Sequence, residues 1–267
     1  MSGEYDLEAG PDPSTFAAAA AEPDIDEATA DPVYAVGVGP GNQAYLPPRG
    51  RRAIEDADVV VGFTTVVEFV DDLTDADLLT CGYKDEADAL EAFGERVAAG
   101  ESGTAVAMGD PNHSGYQFVG KVQDAVQSKD SERPVRVVPG ISSLQMAASR
   151  ARTPMEDTEF VTLHKSGDLE ADMDRLARAA VADQRHLLVL PRPYDRMPGD
   201  IAQFLLENGA DPDLEALVLE KLTHDDETIH RFRLSELSDH AGGDGKDETM
   251  FSDLVVLAVR QPVSRQP

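Results

Sequence analysis

From Val33 onward the apolar positions follow two alternating rhythms. Short solid runs such as Val33–Val38 (VYAVGV), Asp58–Phe63 (DVVVGF) and the stretch opening at Gly103 (GTAVAMGD) are bounded by glycine or charge, and predict buried strands. Between them, apolar residues recur three and four apart. Residues 47–57 (PPRGRRAIEDA) predict a helix with proline in its first turn. Residues 86–100 (EADALEAFGERVAAG) predict one that ends at Gly100, and 116–128 (YQFVGKVQDAVQS) a third. Residues 133–143 (RPVRVVPGISS) read as strand, turn and helix start, continued by 144–151 (LQMAASRA). This alternation implies a mainly parallel sheet with helices on its faces.

The rhythm breaks at residues 152–160 (RTPMEDTEF), then resumes. Strands are expected at 160–164 (FVTLH), 186–191 (HLLVLP), 215–222 (EALVLEKL) and 253–259 (DLVVLAV), with helices at 168–182 and 198–209. The expected fold class is therefore α/β, with one α/β domain over residues 32–152 and a second over 158–262. Residues 240–249 (HAGGDGKDET) read as a hairpin-like loop.

Residues 1–31 are different. They carry acids and prolines but no Lys, Arg or His, and too little apolar surface to offset the entropy of ordering. A disordered acidic tail is expected there.

The chain of 267 residues has a formal net charge of −28, with 51 acidic and 23 basic residues. The acids spread along its whole length, as a solvated acidic shell suited to a high-salt (halophilic) cytoplasm requires. No basic stripe is present to release counterions from phosphates, so nucleic-acid binding is disfavoured. No apolar run approaches the roughly 18 residues of a membrane span, and the beginning does not read as a signal peptide, so the expected location is cytoplasmic. The single cysteine, Cys81, excludes an internal disulfide framework, and the six histidines lack metal-ligand spacing. No metal site is expected.

The residues that carry chemistry begin with 37–42 (GVGPGN). A dinucleotide loop needs glycine at 42, an immediate helix and an acid ending the second strand. Here Asn42 stands in that place, residues 42–48 delay the helix, and the second strand ends in VVVGF. What remains is a structural turn or a loop that touches a different ligand. Two further strand-ending loops follow, 107–111 (AMGDP) and 137–143 (VVPGISS). Gly109 and Gly140 allow backbone to approach a ligand closely, Asp110 offers a carboxylate, and Ser142 and Ser143 offer hydroxyls at a helix start, where Ser142 also suits a plain N-cap.

In order and spacing, G-x-G-P-G, G-D-P and V-P-G-I-S-S together resemble the tetrapyrrole methylase family, over about Val33 to Val259. The resemblance implies two α/β domains with a cleft between them, S-adenosylmethionine as methyl donor and a tetrapyrrole substrate. Within the family, 161–168 (VTLHKSGD) and 219–229 (LEKLTHDDETI) resemble the branch that methylates carbon 5 of a corrin precursor in cobalamin biosynthesis. Lys165 and Ser166 stand where that branch has Gly-Arg. Position by position, the resemblance assigns Pro40, Met108, Gly109, Asp110, Ser142 and Ser143 to the cofactor, brings Pro191 near it, and turns Gly39 and Gly41 towards the substrate. It also implies a homodimer and a separate enzyme for methylation and decarboxylation at carbon 15.

The reaction transfers a methyl group from a sulfonium to an electron-rich carbon, so positioning matters more than acid–base chemistry. A proton must still leave, and His164 is the expected catalytic acceptor or a contact to a substrate carboxylate. Arg49 suits two parallel hydrogen bonds to a carboxylate, with Arg51 and Arg52 beside it, unless these arginines pair with Glu55 and Asp56 on their own helix. Lys165 adds a second cation, and Tyr116 is expected to line the substrate site. Two other functions fit less of the pattern: a sibling methylase such as diphthine synthase, and a nicotinamide-dependent oxidoreductase.

Overall fold

The computed structural model describes residues 31–82, 84–113, 116–129, 133–165, 168–193, 195–242 and 249–262. The expected tail lies outside them except for Asp31, whose carboxylate pairs with Arg133 at 3.0 Å. The central part of the expected loop at 240–249 lies outside them too.

The chain divides into two compact units at Ser142/Ser143. The first contains strands β1 (Val33–Gly37), β2 (Val59–Phe63), β3 (Asp77–Cys81), β4 (Gly103–Ala107) and β5 (Val135–Val138). They form one sheet in the order β3-β2-β4-β1-β5, with every neighbouring pair parallel. Its helices are α1 (Pro48–Glu55), α2 (Thr64–Val67), α3 (Glu86–Ala98) and α4 (Tyr116–Gln127).

Strand alternation sorts the core onto two faces. Val36, Val60 and Val106 pack with Ile54 of α1 and Val66 and Val67 of α2. Ala35, Val59 and Val61 point the other way, onto Leu90 and Phe93 of α3 and Val119 and Val122 of α4. Ile54 and Phe93 are fully buried, and each such side chain contributes about 1.5–3 kcal/mol. Gly50 lets α1 lie against β1, since a Cβ there would stand 2.7 Å from Val36 Cγ1.

The second unit holds β6 (Thr158–Thr162), β7 (His186–Leu190), β8 (Glu215–Glu220), β9 (Thr228–Arg233) and β10 (Val255–Arg260), in the order β6-β7-β10-β8-β9. Its helices are α5 (Ser143–Ala151), α6 (Glu170–Val181), α7 (Pro198–Glu207) and α8 (Leu234–Ser238). Helix α5 packs on β7 and β10, so contacts end the first unit at Ser142, whereas the sequence rhythm suggests residue 152. Met173, Leu176, Ala177 and Ala180 form the buried stripe of α6 at helical spacing.

Only β6 and β7 are parallel in this sheet; the other three pairs are antiparallel. The expectation of a mainly parallel sheet, drawn from the first half of the chain, holds for the first sheet; the second, expected only as a further α/β unit, is mostly antiparallel. The reason is local: the chain turns straight back through Lys221–Glu227 with no crossover helix, so β8 and β9 form a hairpin, and β10 returns between β7 and β8.

Candidate functional site

In the first sheet β1 lies between β4 and β5, so the three sequence-predicted loops leave the same carboxyl edge side by side. The connection from β1 crosses towards β2 through α1 on one face. The connection from β4 crosses towards β5 through α4 on the opposite face. Their departures in opposite directions make the ends of β1 and β4 a topological switch point, where open α/β sheets bind ligands.

Backbone joins these loops directly. Gly39 N–H donates to Gly109 O at 3.2 Å, and Gly109 N–H donates to Gly39 O at 2.9 Å. Val38 N–H donates to Ala107 O at 2.9 Å. A Cβ on Gly37 would lie 2.6 Å from both Gly109 O and Gly140 N; one on Gly140 would lie 2.1 Å from Gly109 O. The missing side chain of Gly140 thus makes room for Gly109 and Gly37 rather than for a ligand, which corrects the sequence expectation for that residue. Gly39 and Gly109 serve differently, with φ of +88° and +66°.

This backbone clasp carries the candidate cofactor residues. Pro40 and Gly41 are half-buried. Asn42 accepts from Ala44 N–H at 2.9 Å and caps a short 3-10 turn over Gln43–Tyr45, so the first α-helix is delayed to Pro48. Met108 is 41% exposed, an apolar side chain held in the open at the sheet edge. Asp110 Oδ1 accepts from Asn112 N–H at 2.7 Å, and Asp110 O accepts from His113 N–H at 3.0 Å. This closes a turn with Pro111 second, as such turns favour. His113 is half-buried, and burial holds its imidazole below the usual histidine range, opposed by the Asp110 carboxylate. Sequence reading missed His113; its separation of three residues from Asp110 was the available signal. Ser142 is buried beside Gly109, and Ser143 opens α5. Tyr116 opens α4, and its side chain lies outside the described residues.

Arg49 stands exposed in the first turn of α1, its guanidinium 5.9 Å from the centre of the Tyr34 ring. Glu55 is engaged by Arg51 instead, at 3.8 Å. Among the described residues no carboxylate forms an ion pair with Arg49, so the alternative of a pair along its own helix does not apply to it.

His164 and Lys165 lie on the second unit, just past β6. The Lys165 ammonium pairs with Asp172 of α6 at 2.7 Å. Lys221 N–H, just past β8, donates to Leu254 O, just before β10, at 2.8 Å. His164 is half-buried, and burial lowers its proton affinity, opposed by Asp253. Arg192, past Pro191 at the end of β7, is bonded to Asp195, which also holds Arg196 at 2.8 Å. Lys221 and Thr223 adopt φ of 50° and 73°, a strained turn fixed by Thr223 N–H donating to Glu227 at 2.7 Å. Among the described residues, no cluster of His, Cys, Asp and Glu is placed to hold a metal, and no helix is long and apolar enough to cross a membrane.

Solved structures share this fold. The methyltransferase CobJ matches with a TM-score of 0.69 at 21% identity, over 89% of this chain and 97% of that one. Uroporphyrin-III C-methyl transferase from Thermus thermophilus, complexed with S-adenosyl homocysteine, matches with a TM-score of 0.63 at 22% identity, over 86% and 92%. The fold, two α/β units, is thus the one those structures share. Residues 32–238 match the tetrapyrrole (corrin/porphyrin) methylases, and the chain belongs to that family. It is an S-adenosylmethionine-dependent methyltransferase. A probable cobalt-precorrin-7 C(5)-methyltransferase of Methanocaldococcus jannaschii is 27% identical over 212 residues, covering 79% of this chain and 92% of the relative.

Proposed function

We propose that this methyltransferase methylates carbon 5 of a corrin precursor, of the cobalt-precorrin-7 or precorrin-6B type, in cobalamin biosynthesis. The observation that carries this reading is the likeness to the Methanocaldococcus jannaschii protein over nearly all of that relative's length. The motifs at 161–168 and 219–229 support the same branch.

The switch-point loops fit the donor in charge and shape. They combine a carboxylate at Asp110, an exposed thioether at Met108 and side-chain-free backbone at Gly39 and Gly109. When bound, S-adenosylmethionine supplies an electrophilic methyl group on a cationic sulfur. Asp110 favours that positive charge. Pro40, Met108 and Gly109 shape the loop around it, with the hydroxyls of Ser142 and Ser143 following Gly140. Arg49 holds a carboxylate of the macrocycle, and Gly39 and Gly41 leave room for its plane. Holding the reacting carbon in line contributes on the order of 7–11 kcal/mol. A separate enzyme then serves carbon 15.

The test is incubation with S-adenosylmethionine carrying a ¹³C methyl group and cobalt-precorrin-7, followed by mass spectrometry and NMR of the product. One added methyl on carbon 5 is expected. A methyl on another carbon removes the carbon-5 reading. Transfer to a protein instead would place the chain with the protein-modifying siblings.

A further inference from the structure

We propose that His113 accepts the proton that leaves the macrocycle carbon once that carbon has been methylated. The inference rests on the methyl-transfer reading above and adds a catalytic residue to it.

The chemistry demands an acceptor. The π electrons of the substrate carbon form the new bond to the methyl carbon. The S–CH₃ bond breaks and its electron pair stays on sulfur, leaving a neutral thioether. The macrocycle is then cationic and bears both hydrogen and methyl on one carbon. Conjugation returns when the C–H bond breaks, its electron pair entering the ring system and its proton passing to a ring nitrogen of His113.

Position selects the residue. A proton acceptor works within about 2.6–3.2 Å of the atom that carries the proton, so it belongs to the loops that seat the transferred methyl group. Between residues 31 and 142 the sequence holds one histidine, His113. It is three residues from Asp110 in a turn closed by the 3.0 Å bond from His113 N–H to Asp110 O. That turn hangs from the Gly39–Gly109 clasp at the switch point. Asp110 is a poorer acceptor, because its carboxylate already receives Asn112 N–H at 2.7 Å and is needed beside the sulfonium.

Environment agrees with position. Burial keeps the His113 imidazole neutral, and therefore able to accept, at neutral pH. The charged group that acts on it is the Asp110 carboxylate, which stabilises the imidazolium formed by the transfer.

The experiment uses the full-length protein and a panel of corrin and porphyrin precursors, with steady-state methylation followed across pH 5–9. In His113→Gln, kcat is expected to fall about a hundredfold or more, with affinity for S-adenosylmethionine unchanged and the acid limb of the kcat profile gone. In His113→Ala, added imidazole is expected to restore rate, which a merely structural role would not allow. His164→Gln is expected to retain the acid limb. A His113→Gln rate within about threefold of wild type, a retained limb, failure of imidazole rescue in folded His113→Ala, or loss of the limb in His164→Gln overturns the proposal. If the wild type methylates another precursor or carbon, the carbon-5 reading fails while His113 is judged by the same variants on that precursor. If it methylates none, both readings fall.

Discussion

Gly39 and Gly109 exchange two backbone hydrogen bonds, at 3.2 and 2.9 Å, and so form a one-pair antiparallel bridge between loops that leave parallel strands. The bridge needs left-handed backbone on both sides, and Gly37 and Gly140 pack against it without room for a Cβ.

Two substitutions separate those requirements. Gly140→Ala would put a methyl 2.1 Å from Gly109 O, in backbone that cannot swing aside, and is expected to destabilise the protein by about 3 kcal/mol. Gly109→Ala meets nothing closer than Ser142 Cα at 3.6 Å, and is expected to lose only the strain of φ +66°, about 1–2 kcal/mol. Urea unfolding of both variants checks the order. Equal losses would mean that crowding around Gly140 is not what fixes the loops.

The strands that became the interior of each sheet were legible because they are solid apolar runs, such as Val59–Val61 and Leu187–Val189. The edge strands β3 and β9 were not. Asp77–Cys81 and Thr228–Arg233 are mostly exposed and carry polar or charged residues, as unpaired edges do, and nothing in such a pattern distinguishes strand from loop. The three loops that meet at the carboxyl edge of the first sheet were legible from glycine spacing. The role of Gly140 was not, since a glycine required by another backbone and one required by a ligand look alike in sequence. The Arg49–Tyr34 contact was equally invisible: it depends on α1 lying over β1, which the close approach at Gly50 sets.

Helices α3 and α4 are joined by an ion pair between Glu86 and Lys121, with the Glu86 side chain 10% exposed and that of Lys121 28%. Removing one partner strands a nearly buried charge. Lys121→Ala is expected to destabilise the fold by about 2 kcal/mol, below the usual cost for a fully buried pair because Lys121 reaches solvent. Lys121→Met combined with Glu86→Leu is expected to recover most of that loss. Unfolding free energies of the single and double variants decide it, and a double variant worse than Lys121→Ala would rule out stranded charge as the cause.

Burial lowers the proton affinity of His113, His164 and His186 in the folded state. His186 is further disfavoured as a cation by Arg260, and its Nδ1 accepts Gln261 N–H at 3.0 Å, which requires that nitrogen unprotonated. Below about pH 6.5, where an unfolded histidine takes up a proton, the unfolded chain binds more protons than the folded one. Stability is therefore expected to be fully present above that pH and to fall as the pH drops through it. In His186→Gln the fall should be shallower. Urea midpoints at pH 7.5 and 5.5 test this; a stability that rises on acidification across that interval would contradict the burial of these imidazoles.

The exposed guanidinium of Arg49 and the net charge of −28 act on a polyacidic substrate in opposite senses and over different ranges. At about 0.1 M salt the Debye length is about 10 Å, and the whole acidic surface repels the incoming carboxylates; at about 1 M it is about 3 Å, and only contact-range interactions survive. A charge-assisted bond from Arg49 is short enough to persist there. Substrate affinity is therefore expected to rise with salt. Stacking on Tyr34 is worth about 0.5–1 kcal/mol at an exposed site, so Arg49→Ala should leave the melting temperature nearly unchanged. The same change should weaken tetrapyrrole binding about fivefold or more, with affinity for S-adenosylmethionine intact. Titrations at 0.1 M and 1 M salt, on protein shown by circular dichroism to be folded in both, separate the two effects. Tighter binding at low salt would show that long-range repulsion does not govern encounter. Wild-type affinity in Arg49→Ala would remove this arginine from the substrate site.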